Sequence, residues 1–448
     1  MKNARKIVVC IAVLAMALAL CFALSSCATD KTVQPDFLLA SESADGYATV
    51  YMPSDGDIKI MVLSDPQVDV YEKYKTVGSL GNDATYSFVE DFVRTTSPDL
   101  VVINGDLVMN DMPLLSSASY FKRYAEIFER LKTPWAFTFG NHDLDGKYQI
   151  DDSATMDSPR FQCSKKELIN YFNQNYKYCL INADSACQDG DGNYFVNIRK
   201  RSGELVYTLC LFDCLYDEEN GEYMHVPSAN QVKWYRDTIN SISDGEYGTE
   251  RGDRVVPSMI FNHVGIPEFK TAWNEAYNGG NVTENYHYGT YFDGNYSGEY
   301  GDMPKDEQIF SVAKELGSTT AIFMCHHHDN DFSVDYQGIR LTFGQHSGYS
   351  HNYRTTHKTN GMAPYDYKAW SGISFARIDD YGDQRGGTQI VITQQAGFEV
   401  APVYAKNVLA NYAEKYYIDY DAVARLIDES PDYDGTVARG EGRLWKLD

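Results

Sequence analysis

Between residues 57 and 143 the chain alternates between two hydrophobic patterns. Short, nearly unbroken apolar runs, "DIKIMVLSD", "DLVVINGD" and "WAFTFGNHD", are separated by longer stretches whose apolar residues return every three or four positions. In "ATYSFVEDFVRTTSP" Phe88, Val89, Phe92 and Val93 form one stripe that stops before Pro98. In "SASYFKRYAEIFERLKTP" the stripe is Phe121, Tyr124, Ile127, Phe128 and Leu131. The short runs read as buried strands and the stripes as amphipathic helices. A β-α-β-α-β order predicts a layered α/β fold with parallel strands joined by right-handed crossovers.

Further along, residues 144–204 are irregular and polar and read as an insert over one face. "ELVYTLCLFD" then "NQVKWYRDTI" predict a strand and a helix, and "VVPSMIFNHVG" and "TTAIFMCHHH" two more apolar runs. Between these last two lies a Gly/Asn/Tyr-rich loop at 268–307, expected near a substrate. "IRLTFGQHSG", "ISFARIDDYG" and "TQIVITQQ" predict closing antiparallel strands. The folded domain is expected over 55–400, with 401–448 as a C-terminal extension.

Five of the strand-like runs end in polar residues of ligand type: Asp65 with Gln67, Asp106, Asn141 with His142, His263, and His326 with His328. An Asp after a strand is ordinarily a turn residue, and a single histidine is ordinarily structural. Five such endings at one topological position point instead to a shared metal site, because ligands of open α/β sheets collect outside the carboxyl ends of strands. In "CHHHDND" an extended chain puts His326 and His328 on one face and turns His327 away.

The N-terminus changes the compartment. "MKNARKIVVCIAVLAMALALCFALSSCATD" has a basic start, an apolar run and then small residues, the pattern of an export signal. Its "LSSC" resembles the bacterial lipoprotein box, which implies a signal over 1–26 and lipidation at Cys27, and residues 27–54 read as a flexible tether. An uncleaved membrane anchor is the other reading, since about 18 apolar residues could span a bilayer. Either way the protein is expected outside the cytoplasm; the box implies a lipid anchor on the outer side of a bacterial membrane. Loss of the signal's three positive charges takes the formal net charge from −24 to −27. Such acidity argues against nucleic acid as the main partner but allows an anionic substrate at a metal centre. Cys163, Cys179, Cys187, Cys210, Cys214 and Cys325 read as buried thiols more readily than as disulfides.

The ordered set D-x-Q, GD, GNHD, NH and HxH resembles the calcineurin-like metallophosphoesterases, whose usual pattern is D-x-H, GD, GNH[DE], H and GHxH. "GDGNYFVNI", "LFDC", "NQVKWY" and "HVGIPEF" resemble the exported, purple-acid-phosphatase-like branch. The likeness implies an α/β fold, a layered β-sandwich flanked by helices, with a dinuclear metal site at strand carboxyl ends. It implies that Asp65, Gln67, Asp106 and His328 hold one ion and Asp106, Asn141, His263 and His326 the other, Asp106 bridging. The ions expected are Mn, Fe or Zn, since the ligand set lacks thiolate. The implied activity is hydrolysis of phosphate esters, monoesters before diesters, by a metal-activated hydroxide. His142 would assist the leaving group, with Asp143 orienting its imidazole.

Three departures matter. Gln67 stands where a histidine is usual, and an amide oxygen is the weaker ligand. Cys325 replaces the usual glycine and reads as buried and unreactive. Met109 occupies the position of the purple members' tyrosine, so an iron–tyrosinate centre is not expected. His346 and Gln345 in "FGQHSGY" are candidates for contact with substrate phosphate, and Asn262 for bracing its loop. A second class of function, a non-catalytic surface-binding lipoprotein with structural metal, draws support from Gln67 and the aromatic residues near 286–300.

Overall fold

The three apolar runs that begin the pattern become three parallel strands side by side: Ile58–Leu63, Leu100–Asn104 and Trp135–Thr138. The computed structural model describes residues 35–69, 75–109, 117–143, 164–183, 186–217, 222–224, 226–278, 281–291, 299–328, 330–349 and 385–416. Two antiparallel strands, Gly386–Ile392 and Phe398–Tyr404, extend this first sheet to five, in the order 398–404, 386–392, 58–63, 100–104, 135–138. Helices Lys75–Thr96 and Ala118–Leu131 make the crossovers. Their stripes are buried as expected, through Phe88, Val89, Phe92 and Val93 and through Phe121, Tyr124, Ile127 and Phe128. Each such apolar side chain contributes roughly 1.5–3 kcal/mol on burial.

A second, nine-stranded sheet runs 37–38, 48–51, 194–199, 205–211, 258–261, 319–324, 339–343, 331–336, 286–290. Its central strands Leu205–Leu211, Ser258–Phe261, Thr319–Met324 and Ile339–Phe343 are mutually parallel. They are apolar on both faces because both faces are covered. Met259, Phe261, Ala321 and Phe323 join the core shared with the first sheet. Ile260, Ile322 and Met324 point the other way, toward Val232, Tyr235 and Ile239 of helix Ala229–Tyr247 and toward helices Glu268–Ala276 and Ile309–Leu316. The arrangement is the expected layered sandwich flanked by helices.

Several expected boundaries move. The tether does not run to residue 54: Phe37–Leu38 is the edge strand of the second sheet and Ala48–Tyr51 the strand beside it, with Ala48 and Val50 buried. Two- and four-residue strands among polar neighbours carry too little periodicity to be recognised. The insert at 144–204 contains helix Lys165–Asn175, opened by a Ser164/Glu167 capping box, and the core strand Tyr194–Arg199. The 268–307 segment holds a helix and the sheet strand Tyr286–Thr290. The domain also passes residue 400, since Phe398–Tyr404 pairs along its whole length with Gly386–Ile392, and Tyr416 is buried. The "IRLTFGQHSG" strand is antiparallel to Asp331–Tyr336, joined through left-handed Gln337 and Gly338, but parallel to Thr319–Met324.

The five described cysteines, Cys179, Cys187, Cys210, Cys214 and Cys325, are buried and outside any disulfide. The 1–26 signal, Cys27, Cys163 and the "ISFARIDDYG" strand lie outside the described residues. Among the described residues no helix is long and apolar enough to cross a membrane.

Candidate metal centre

Each expected ligand follows the carboxyl end of a parallel strand, and local backbone geometry brings the five ends together. Asp65, Gln67, Asp106 and His326 adopt left-handed φ values of 50°, 40°, 50° and 75°. Non-glycine residues rarely accept that region, and it concentrates at functional sites where surrounding structure enforces it. Here the enforcement is visible. Gln67 N–H donates to Asp106 O at 2.9 Å and Val68 N–H to Leu107 O at 3.0 Å. The two loops are thereby zipped as the short parallel pair Val68–Asp69 and Val108–Met109. Met109, at the purple-tyrosine position, is buried in this pair.

The motif glycines have steric reasons. Gly105 has φ 86°, and a Cβ there would lie 2.3 Å from His263 Nδ1. At Gly140 a Cβ would lie 2.1 Å from Asp106 Oδ1. Both glycines let a ligand side chain lie directly on backbone.

Asp106 is the centre of the cluster. Its Oδ2 accepts from Gln67 Nε2 at 2.8 Å and lies 3.2 Å from His263 Nε2, while Oδ1 accepts from His142 N–H at 2.9 Å. His263 Nε2 also lies 3.0 Å from Asn141 Oδ1 and 3.9 Å from Asp65 Oδ1. Asp65 accepts the His326 N–H at 3.2 and 3.1 Å on its two oxygens and lies 3.5 Å from His328 Nε2. All seven expected ligands are thus linked in one cluster.

Gln67 Oε1 and His326 Nδ1 are buried in that cluster without a hydrogen-bond partner. Leaving buried polar atoms unmade costs about 1–3 kcal/mol each. A cation would satisfy both, and Asp106, His263 and His326 each offer a donor atom within 4.8 Å of the others. Carboxylate, amide and imidazole donors about 3 Å apart suit bonds of about 2.0–2.2 Å to a transition-metal ion. The residues fit the expected metals.

The charges are strongly coupled. Burial pushes the Asp106 carboxyl up, yet His263 and His142 outweigh it and hold Asp106 well below the carboxylate range. Burial and then Asp106 push Asp143 up to about 7. Burial favours a neutral His263, but Asp106 and Cys325 raise it well above the ordinary histidine range. His326 is driven well below that range by burial and then by His263. Titratable groups pushed apart in this way are characteristic of functional sites.

Some expectations need correction. The chain leaves its strand at Met324, so strand alternation is not what separates the histidines of "CHHHDND". The left-handed turn at His326 does so, and His327 instead packs near Phe343, ring centroids 6.3 Å apart. Asp143 braces the site: its carboxylate accepts Val108 N–H at 2.9 Å and Gly140 N–H at 2.7 Å, tying two site loops together. His346 stacks on His328 at 4.3 Å, and Gln345 Oε1 accepts from Thr388. Asn262 braces its loop as expected, donating to Val264 O at 2.7 Å. Cys325 is buried, its thiol 2.5 Å from Asn104 O and pushed up to about 12 by burial.

Sequence reasoning missed three participants. Asn104, a polar residue inside the apolar run "DLVVINGD", accepts from His263 Nδ1 on its carbonyl at 3.0 Å, and its amide donates to Asn262 O and Phe323 O across the sandwich. Tyr223 meets His326 Nε2 with its hydroxyl, 3.2 Å away. Asp213, in "LFDC", also follows a parallel strand, but Lys165 takes it at 2.5 Å and the Asp191 and Gly192 amides bind its other oxygen. A polar residue at a strand end was the available signal for Asn104 and Asp213; Tyr223 had none.

The sequence profile of the calcineurin-like phosphoesterases matches residues 58–281, half of the 448-residue chain. Probable inactive purple acid phosphatase 29 of Arabidopsis thaliana is 22% identical over 282 residues, 59% of this chain and 63% of that protein, less than two thirds of the relative's length. Probable inactive purple acid phosphatase 14 of the same plant is 22% identical over 340 residues, 70% of this chain and 77% of that protein. Among solved structures, a dimetal phosphatase from Danio rerio is similar at a TM-score of 0.36 and 11% identity, covering 78% of this chain and all of that one. The profile takes in four of the five strand ends, from Asp65 to His263, and the remaining strand brings His326 and His328 to the same cluster. The chain belongs to the calcineurin-like phosphoesterase family.

Proposed function

We propose that the protein hydrolyses phosphate esters, monoesters foremost, at a dinuclear metal centre. The observation that carries this is the convergence of seven donors from five strand ends, with Gln67 Oε1 and His326 Nδ1 buried and unbonded. Asp65, Gln67, Asp106 and His328 would hold one ion, and Asp106, Asn141, His263 and His326 the other. When bound, the two ions supply Lewis-acid polarisation of phosphoryl oxygen and acidify a water molecule.

The chain's own groups do the rest. Asp106 contacts Gln67 and His263 through one oxygen, which supports its assignment to both ions. The Nδ1–H of His263 donates to Asn104 O, so Nε2 is the nitrogen presented toward Asn141 and Asp106. Asp143 holds the Gly140 and Val108 backbone and with it the position of Asn141 and His142. Water adds to phosphorus and gives up a proton to solvent, the ester P–O bond breaks, and the leaving oxygen takes a proton from His142. His346, stacked on His328, is assigned to contact with substrate phosphate. Export and lipidation at Cys27 are proposed on the basic start, apolar run and "LSSC" box. Metabolic labelling with a fatty acid is expected to mark the protein and to be lost in Cys27→Ser.

The test is turnover of p-nitrophenyl phosphate, bis-p-nitrophenyl phosphate and phosphopeptides with Mn, Fe or Zn supplied. Monoester turnover lost in His142→Ala is the expected result. Diester turnover alone would reassign the substrate class, and a fully metallated protein inert toward the whole panel would favour a binding role.

A further inference from the structure

Tyr223 has no part in the activity as derived above, yet it touches a proposed ligand. Its ring lies edge-on to His326, centroids 5.4 Å apart, with the hydroxyl 3.2 Å from Nε2. The other nitrogen, Nδ1, is buried without a hydrogen-bond partner. A neutral imidazole carries one proton, and the nitrogen that coordinates a cation must be the bare one. We propose that Tyr223 is a positioning residue for the metal centre: its oxygen accepts the Nε2–H of His326 and thereby fixes the tautomer in which Nδ1 faces the ion.

Tyr223 is held for that task. It belongs to a small antiparallel ribbon, Tyr216–Asp217 with Glu222–Tyr223, that follows the strand Leu205–Leu211. Met224 N–H donates to Leu215 O at 2.8 Å and closes the ribbon. The base is anchored where Lys165 binds both Asp213 and the Cys214 carbonyl, at 2.5 and 2.7 Å. Cys214 N–H in turn donates to Phe139 O, next to the loop that carries Asn141. The sixth strand end therefore contributes through a ribbon that reaches His326, not through a ligand of its own. Outer partners of this kind orient metal-binding histidines and raise their basicity, and their loss lowers metal affinity by about 10–100-fold.

The inference rests on the proposed assignment of His326 as a ligand, and the experiment separates the two. Tyr223→Phe keeps the ring and removes the oxygen. Zn2+ or Mn2+ titrated into the metal-free protein by calorimetry is expected to show one of two ions bound about tenfold more weakly. The imidazole 15N shifts of His326 are expected to lose the pure Nε2–H signature. His326→Ala should abolish binding of that same ion. If Tyr223→Phe leaves both affinities and the 15N shifts unchanged while His326→Ala loses an ion, Tyr223 merely packs and the proposal is overturned with the ligand assignment intact. If His326→Ala also binds two ions normally, the ligand assignment fails and the proposal with it.

Discussion

The side-chain amide of Gln67 donates to Asp106 Oδ2 at 2.8 Å and leaves its own oxygen buried without a partner. The residue that departs from the family pattern thus presents a hard oxygen to the cluster. Gln67→Ala is expected to weaken one ion by at least about tenfold, the lower end of what even outer-sphere losses bring. Gln67→His should tighten zinc more than manganese, because imidazole is the softer donor. Metal titration of the three proteins checks both; equal affinities throughout would remove Gln67 from the ligand set.

His327 packs near Phe343 and is not among the assigned ligands. His327→Ala should leave metal content unchanged, whereas His326→Ala and His328→Ala should each lower it. Elemental analysis of the purified variants decides the matter, and an ion lost from His327→Ala would refute the arrangement.

Gly105 bears the ring of His263 on its α-carbon. Gly105→Ala would put a methyl group 2.3 Å from Nδ1 at φ 86°. Overpacking of this kind costs about 1–3 kcal/mol, and the left-handed conformation roughly 1–2 kcal/mol more. A lower urea midpoint together with weaker binding of the His263 ion is expected. Unchanged stability would show that the ring moves away freely.

The five strand ends were legible because a buried parallel strand is a short apolar run, and a polar residue at its end is conspicuous. Asp65, Asp106, Asn141, His263 and the 326–328 pair were found on that signal alone. The edges were not legible. Phe37–Leu38 and Ala48–Tyr51 are too short for any period, and Phe398–Tyr404 alternates only between half-buried and exposed positions. Nor was the reason for the His326/His327 separation, which lies in a single positive φ rather than in a pattern of residues. Tyr223 reaches the site from a two-residue strand whose neighbours give no hint of it.

Lys415 and Tyr416 are tied to Asp91 on helix Lys75–Thr96. Burial pushes the Asp91 carboxyl up, but hydrogen bonds from Lys415 and Tyr416, with Arg94 nearby, hold it below the ordinary range. A folded-state value below the unfolded one means stability that is complete above about pH 4 and lost as pH falls through the lowered value. Asp91→Asn should therefore be less stable than the parent at pH 7, and the gap should narrow at pH 3. Urea unfolding at both pH values tests the sign; a gap that widens in acid would reverse it.

The most direct test of the central claim is phosphomonoester turnover measured against metal equivalents bound by the same preparation. Turnover should rise with loading up to two ions per chain, and Asp106→Asn, which alters the residue assigned to both, should lose metal and turnover together. Full turnover with a single ion, or none from a chain carrying two, would contradict it.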